Sequence, residues 1–343
     1  METTMADSAL PLLAEVTRGT TVESRHHGAV VATDAAGKVV WSLGDPGLVM
    51  FPRSAIKPIQ AALVMAESGA MDAFGVSSKE LALSCASHNG EAIHTGPVRA
   101  WLDRLGLSTA DLECGDQDPG TPDALHELYR SGGHAGPEHN NCSGKHSGFL
   151  TVCRHLGVAP RGYLDPEHPT QAAVCSTMAQ MCDVDLGSAD LGIDGCGVPT
   201  IAMPLAGLAL GMARLADPSK LADRRADACR AIVAAMAAHP MMVAGTGRTC
   251  TALLTAGRGR FVVKGGAEGV YAGAWPEKGL GIALKIADGA GRAAEIAMTH
   301  VLRRLGALDD AAWAELHDKA HVTLRNWVGT QVGTVRAAGA LVG

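Results

Sequence analysis

Phe51-Pro52-Arg53-Ser54-Ala55-Ile56-Lys57-Pro58 sets a serine and a lysine three residues apart where a helix should begin. Residues three apart on a helix share one face, with Cβ atoms about 5–6 Å apart, so a flexible lysine reaches the serine hydroxyl. Pro58 has no N–H to donate and is tolerated only near a helix start, and residues 59–68 continue with good helix formers. Ser54 and Lys57 then fall in or just before a first turn, whose free N–H groups and positive dipole end favour an oxyanion. A hydroxyl beside a neutral amine is an activated nucleophile. An N-cap serine followed by a solvated lysine has the same spacing, so the remainder of the chain must decide.

Upstream of this stretch, residues 28–33 and 38–43 read as two strands joined by the turn Asp34-Ala35-Ala36-Gly37. Downstream, residues 78–86, 97–105, 149–156, 170–181, 201–215 and 225–238 show helical periodicity. After Pro240, residues 250–255, 260–264, 269–275 and 281–286 read as strands between glycine-rich turns, and residues 290–305 as a helix. The expected fold is therefore α+β: an antiparallel sheet flanked by helices, with an inserted, mainly helical lobe. The sheet and its covering helices are expected from residues 1–50 and 240–343, the helical lobe from residues 51–239, and the active site between them. There is no internal repeat or low-complexity linker.

With 343 residues the chain can bury a large core without disulfide staples. Its net charge of −6 and 19% charged residues provide no basic face for nucleic acid or an anionic membrane, which leaves a small molecule as the expected partner. Nine cysteines, an odd number without small-domain spacing, read mostly as buried thiols in a reducing compartment. The acidic, polar residues 1–8 lack the charged start and apolar run of a secretory leader, and no apolar run is long enough to span a bilayer. The cytoplasm is the expected address.

Two more pieces fit the opening serine and lysine. In Ser84-Cys85-Ala86-Ser87-His88-Asn89-Gly90-Glu91 a cluster of small hydroxyl residues follows an apolar helix, with Ser87 a better second serine than Ser84. In Phe261-Val262-Val263-Lys264-Gly265-Gly266 a strand delivers a lysine just before glycines that let a ligand approach the backbone. A helix cap at Ser87 and a solvated edge lysine at Lys264 are the plain alternatives. Ser-x-x-Lys, a middle hydroxyl cluster and a late Lys-x-Gly strand, in that order, form the layout of serine β-lactamase-like acyl enzymes. A different chemistry is written in His139-Asn140-Asn141-Cys142-Ser143-Gly144-Lys145-His146 and Asp194-Gly195-Cys196-Gly197. Two thiols in polar turns, with nitrogen donors nearby, suit zinc. No Gly-x-Ser-x-Gly elbow is present, and Gly245-Thr246-Gly247 is too short for a nucleotide fingerprint and reads as a turn.

Taken together, the Arg53–Lys57, Ala86–Glu91, His139–His146, Asp194–Pro199 and Lys264–Gly269 motifs resemble the Rhizobium etli-type (class 3, thermolabile) L-asparaginases, in order and from about Gly28 to Leu305. The resemblance implies a serine β-lactamase/glutaminase-like fold and a homodimer that hydrolyses L-asparagine to L-aspartate and ammonia. It further implies Ser54 with Lys57 as one Ser–Lys pair and Ser87 with Lys264 as a second, plus a Zn2+ ion on Cys142, Lys145 and Cys196 that aids substrate binding. Lysine must be neutral to bind zinc, so His139 and His146 stay open as alternative ligands. Arg53 and Asp194 are read as holding the substrate carboxylate and ammonium, or else as salt-bridge partners. A glutaminase or β-lactam-reactive hydrolase, and an inactive zinc-stabilised binding protein, are the competing readings.

Overall fold

The turn at Asp34 forms because its carboxylate accepts from the Ala36 and Lys38 amides at 2.9 and 3.0 Å, a side chain substituting for missing backbone bonds. The computed structural model describes residues 10–342; the leaderless reading of residues 1–8 lies outside the described residues. Its strands in chain order are β1 (Leu12–Arg18), β2 (Thr21–Asp34), β3 (Val39–Leu43), β4 (Val49–Met50), β5 (Leu191–Ile193) and β6 (Pro199–Ile201). There follow β7 (Met203–Pro204), β8 (Val262–Gly265), β9 (Val270–Trp275), β10 (Leu280–Ile286), β11 (His321–Arg325) and β12 (Gln331–Ala337). No helix among the described residues is long and apolar enough to cross a membrane.

The chain divides into two compact units. The first takes residues 1–55, 203–217 and 252–343 and holds one antiparallel sheet in the order β11-β12-β1-β2-β10-β9-β8, with β3 on β2. The early hairpin and the late meander join here, β2 pairing β10 from Gly28↔Ile286 to Asp34↔Leu280. Every residue of β9, and all of β10 after Leu280, is buried, so both faces of these strands are covered. The helices Leu205–Ala216 and Gly291–Arg304 pack on them. The sheet unit thus includes residues 203–217, because Gly281 offers no Cβ where the Leu205–Ala216 backbone passes.

The second unit, residues 56–202 and 218–251, is built round the helix Ser143–Leu156, whose first eleven residues are all buried. Helices Ala61–Glu67, Ser78–Ser84, Ala92–Arg104 and Pro169–Cys182 pack against it. Gly144 allows the closest approach, since a Cβ there would lie 2.3 Å from the Leu83 carbonyl oxygen. Trp101 spans the join with Ala92–Arg104 and donates from Nε1 to Thr151 Oγ1 at 3.0 Å, satisfying its polar tip inside the core.

Three local expectations change. Residues 250–255, read as a strand, form the helix Thr249–Gly257, since a short apolar run has no period that separates the two. The helix expected over 201–215 begins at Leu205, because Pro204 lacks the donor an earlier turn would need and pairs instead in β7. The helix after Lys57 begins only at Ala61. A 3₁₀ turn, Arg53–Ile56, precedes it, as Pro58 disfavours α conformation at the residue before it.

Candidate active site

In the helical unit, Ser77-Ser78-Lys79-Glu80 is a capping box: the Glu80 amide donates to Ser77 Oγ at 3.3 Å and the Ser77 amide to Glu80 Oε2 at 2.8 Å. The box starts the helix Ser78–Ser84, whose last residue is the first serine of the hydroxyl cluster. Ser84 is fully buried and donates to the Leu81 carbonyl at 2.7 Å, a local helix bond. Ser87 lies beyond the helix, its amide donating to Val243 O at 3.1 Å, and its Oγ is 3.0 Å from Lys57 Nζ. Lys57 is 0% exposed and also donates to the Ala86 carbonyl at 2.5 Å. No carboxylate pairs with it among the described residues. Burying a lysine on one carbonyl and one hydroxyl is costly, which marks a functional position more than a stabilising one.

The same unit gathers Cys142, Lys145 and Cys196, all buried. Lys145 Nζ donates to Cys196 Sγ at 3.1 Å. Hydrogen bonding with the Cys142 sulfur, with help from Lys145 and Lys57, lowers the Cys196 thiol against the opposing effect of burial. That bond and burial push Cys142 up to about 12. Burial opposes the charge on Lys145, but the Cys196 and Cys142 sulfurs outweigh it and raise its pKa. His139 Nδ1 accepts from the Gly136 amide at 3.1 Å, and His146 Nδ1 meets Tyr163 Oη at 2.6 Å, so each has one ring nitrogen already engaged. Asp194 opens the turn that carries Cys196: its carbonyl accepts from the Gly197 amide at 2.8 Å and its carboxylate from the Gly195 amide at 2.8 Å. Among the described residues no three His, Cys, Asp or Glu side chains form a metal cluster.

Asn89 and Glu91 carry a role not read from their motif. Asn89 Nδ2 donates to Thr246 O at 3.0 Å, Arg248 Nη1 donates to Asn89 Oδ1 at 3.1 Å, and the Thr246 amide donates to Glu91 Oε2 at 3.2 Å. The Gly245-Thr246-Gly247 turn is thereby clamped to the segment after Ser87. The signal in the sequence was the run of polar side chains directly after Ser-His, which are costly to bury unless each finds a partner.

In the sheet unit, Arg53 has φ 49°, a left-handed conformation that a side chain resists and that clusters at functional sites. Ser54 beside it is partly exposed. The Lys264 strand comes directly against this turn: a Cβ on Gly266 would sit 3.0 Å from Ala55 N, 3.1 Å from Pro52 O and 3.3 Å from Ser54 N. Glycine makes that approach easy, since a Cβ would press on backbone atoms that must give to admit it. Lys264 is 1% exposed and donates to the Gly265 carbonyl at 2.5 Å. Ser54, Arg53 and Lys264 therefore belong to the sheet unit, and Lys57, Ser87 and the cysteine–lysine cluster to the helical unit.

The family model described as L-asparaginase II matches residues 14–337. No curated protein matches the sequence. Among solved structures the chain is similar to a β-lactamase from Mycobacterium bovis, at 17% identity over 85% of this chain and 95% of that one, with a TM-score of 0.41. It is also similar to Mglu in its native form, at 12% identity over 83% and 67%, with a TM-score of 0.46.

Proposed function

The chain belongs to the L-asparaginase II family and is an amidohydrolase of that type; from this premise we propose that it hydrolyses L-asparagine through an acyl-enzyme on Ser54, as in the Rhizobium etli-type branch. Ser54 Oγ attacks the side-chain amide carbonyl and its proton passes to Lys57. Backbone N–H groups near Ser54 and along the Lys264 strand stabilise the oxyanion. Ammonia leaves with a proton relayed through Ser87 and Lys264, and water then cleaves the ester to L-aspartate. Arg53 holds the substrate carboxylate and Asp194 its ammonium. The observation that carries this reading is the fully buried Lys57 bonded to the Ser87 hydroxyl with no carboxylate partner among the described residues.

Zinc fits the donor set of Cys142, Lys145 and Cys196: the Cys196 thiol is lowered toward its anionic form, and the amine lies within hydrogen-bond reach of it. Loading requires Cys142 and Lys145 to release their protons, so occupancy should rise with pH. When bound, the ion would supply positive charge that organises substrate contacts. The homodimer and the cytoplasmic address belong to the same proposal.

The test is ammonia release by purified protein from L-asparagine, L-glutamine and D-asparagine, with zinc content measured on the same sample. L-Asparagine should be the fastest substrate, and about one zinc should be bound per chain. Faster release from glutamine would move the assignment to a glutaminase. A folded, zinc-loaded protein that releases no ammonia and is not acylated at Ser54 would be a binding protein.

A further inference from the structure

One cation of the sheet unit has no place in the proposed reaction. Lys285 interrupts the apolar strand Leu280-Gly281-Ile282-Ala283-Leu284-Lys285-Ile286 and is 8% exposed. A lysine inside a sheet is costly unless its ammonium is satisfied, and a methionine would fill the space without that cost. Its hydrogen bonds go to two backbone carbonyls, Glu268 O at 2.6 Å and Ile286 O at 2.7 Å. Burial lowers its pKa, against the pull of the Glu268 and Asp288 carboxylates, and Arg53 lowers it further.

The register shows what these bonds hold. Lys285 pairs with Val270 and Lys264 with Ala272, so both lysines project from the same face of the sheet, on either side of β9. Between β8 and β9 the chain turns through Gly265–Gly269, closed by the Gly266 amide donating to Val270 O at 2.8 Å. Glu268 in this turn has φ 55°, a left-handed conformation unfavourable for a residue with a side chain. Two bonds from β10 hold it there: the Lys285 ammonium on the Glu268 carbonyl, and the Ile286 amide on the Gly269 carbonyl at 2.9 Å. Gly266, two residues earlier, is the point of contact with the Pro52–Ala55 backbone.

We propose that Lys285 is a positioning residue for amide hydrolysis: by donating to the Glu268 carbonyl it fixes the Gly265–Gly269 turn, and with it the Gly266 backbone against Ser54. This rests on the acyl-enzyme reading above. Because Gly266 lies against the backbone of the nucleophile Ser54 and not against the groups proposed to hold the rest of the substrate, loosening the turn should act on kcat more than on KM.

The test compares Lys285→Met with Lys285→Gln, two side chains of similar length of which only the second can donate. Lys285→Met should lower kcat at least about tenfold with KM changed less than about threefold. Lys285→Gln should recover most of that loss. Hydrogen exchange of the Gly265–Gly269 amides should accelerate at least about tenfold in Lys285→Met and stay near wild type in Lys285→Gln. Wild-type kcat in Lys285→Met, no recovery in Lys285→Gln, or unchanged exchange in this turn would each overturn the proposal. If wild-type protein releases no ammonia from asparagine, the acyl-enzyme reading fails. The exchange measurement then still decides whether Lys285 holds the turn.

Discussion

Lys57 illustrates how a residue can be legible while its partner is not. The spacing of Ser54 and Lys57 announced a hydroxyl and an amine, because residue type and separation are both local. The hydroxyl that Lys57 Nζ meets at 3.0 Å is that of Ser87, thirty positions on, a contact created by the packing of the helical unit. If Ser54 is the nucleophile and Ser87 part of its proton path, the two hydroxyls act in one step. Ser54→Ala should then lower kcat by at least about 10³-fold, and Ser87→Ala should also cripple it. The double variant should be scarcely worse than Ser54→Ala alone, since residues acting as a unit are not additive. Steady-state kinetics on the three folded variants measures this. Log losses that simply sum would assign the serines independent roles, and near-normal turnover in Ser54→Ala would move the nucleophile to Ser87. Of the two candidate second serines, Ser84 donates its hydroxyl to Leu81 within its own helix, whereas the Ser87 hydroxyl meets Lys57.

Among the elements, those with a clear period or a turn signal were readable, and those defined by pairing or by backbone contact were not. The β2–β3 hairpin is written in two apolar runs around Asp34-Ala-Ala-Gly37, and the helix Gly291–Arg304 in its apolar stripe. Strand β1 and the β11–β12 hairpin went unread: their residues alternate weakly, and the pairing of β1 with β12 joins the two ends of the chain. The helix Ser143–Leu156 was anticipated only from 149, because its first turns contain two glycines and three serine or histidine residues that resemble a loop. Those glycines have unequal jobs. A methyl group on Gly148 would meet Ala61 Cβ at 3.2 Å, a tight contact between side chains, whereas on Gly144 it would meet the Leu83 carbonyl oxygen at 2.3 Å, where backbone must move. Alanine gains about 0.8–1 kcal/mol of helix propensity over glycine at either site, and overpacking costs about 1–3 kcal/mol. Gly148→Ala should therefore be close to neutral and Gly144→Ala clearly destabilising. Denaturant midpoints that fell equally in both variants would show that the close approach at Gly144 does not constrain the helix pair.

At the scale of the whole molecule, the helical unit depends on histidines that must stay neutral. Burial lowers His88 well below the ordinary histidine value, with His94 and Lys57 adding to the effect, and burial likewise lowers His94, stacked on His88 with ring centroids 4.8 Å apart. His88 is built in as a neutral ring: Nδ1 accepts from the Gly90 amide at 3.0 Å, and Nε2 meets Ser143 Oγ at 2.9 Å. A folded-state value depressed below the unfolded 6.5 means that, as pH falls, the unfolded chain takes up the proton first. The stability is fully present above about pH 6.5 and drains below it, at up to about 1.4 kcal/mol per pH unit for each such histidine. Cys196, whose thiol is lowered by its Cys142 hydrogen bond and by Lys145, gives a slope of the same sign, so the wild-type slope alone cannot be assigned to histidine. The informative quantity is the difference between wild type and His88→Gln in urea midpoints from pH 7.5 to 5.5, a window above the titration of most carboxylates. The variant should start less stable, having lost the Gly90 bond, and should lose less on acidification. Parallel slopes would mean that His88 takes up a proton as readily in the folded unit as in the unfolded chain, contrary to its burial.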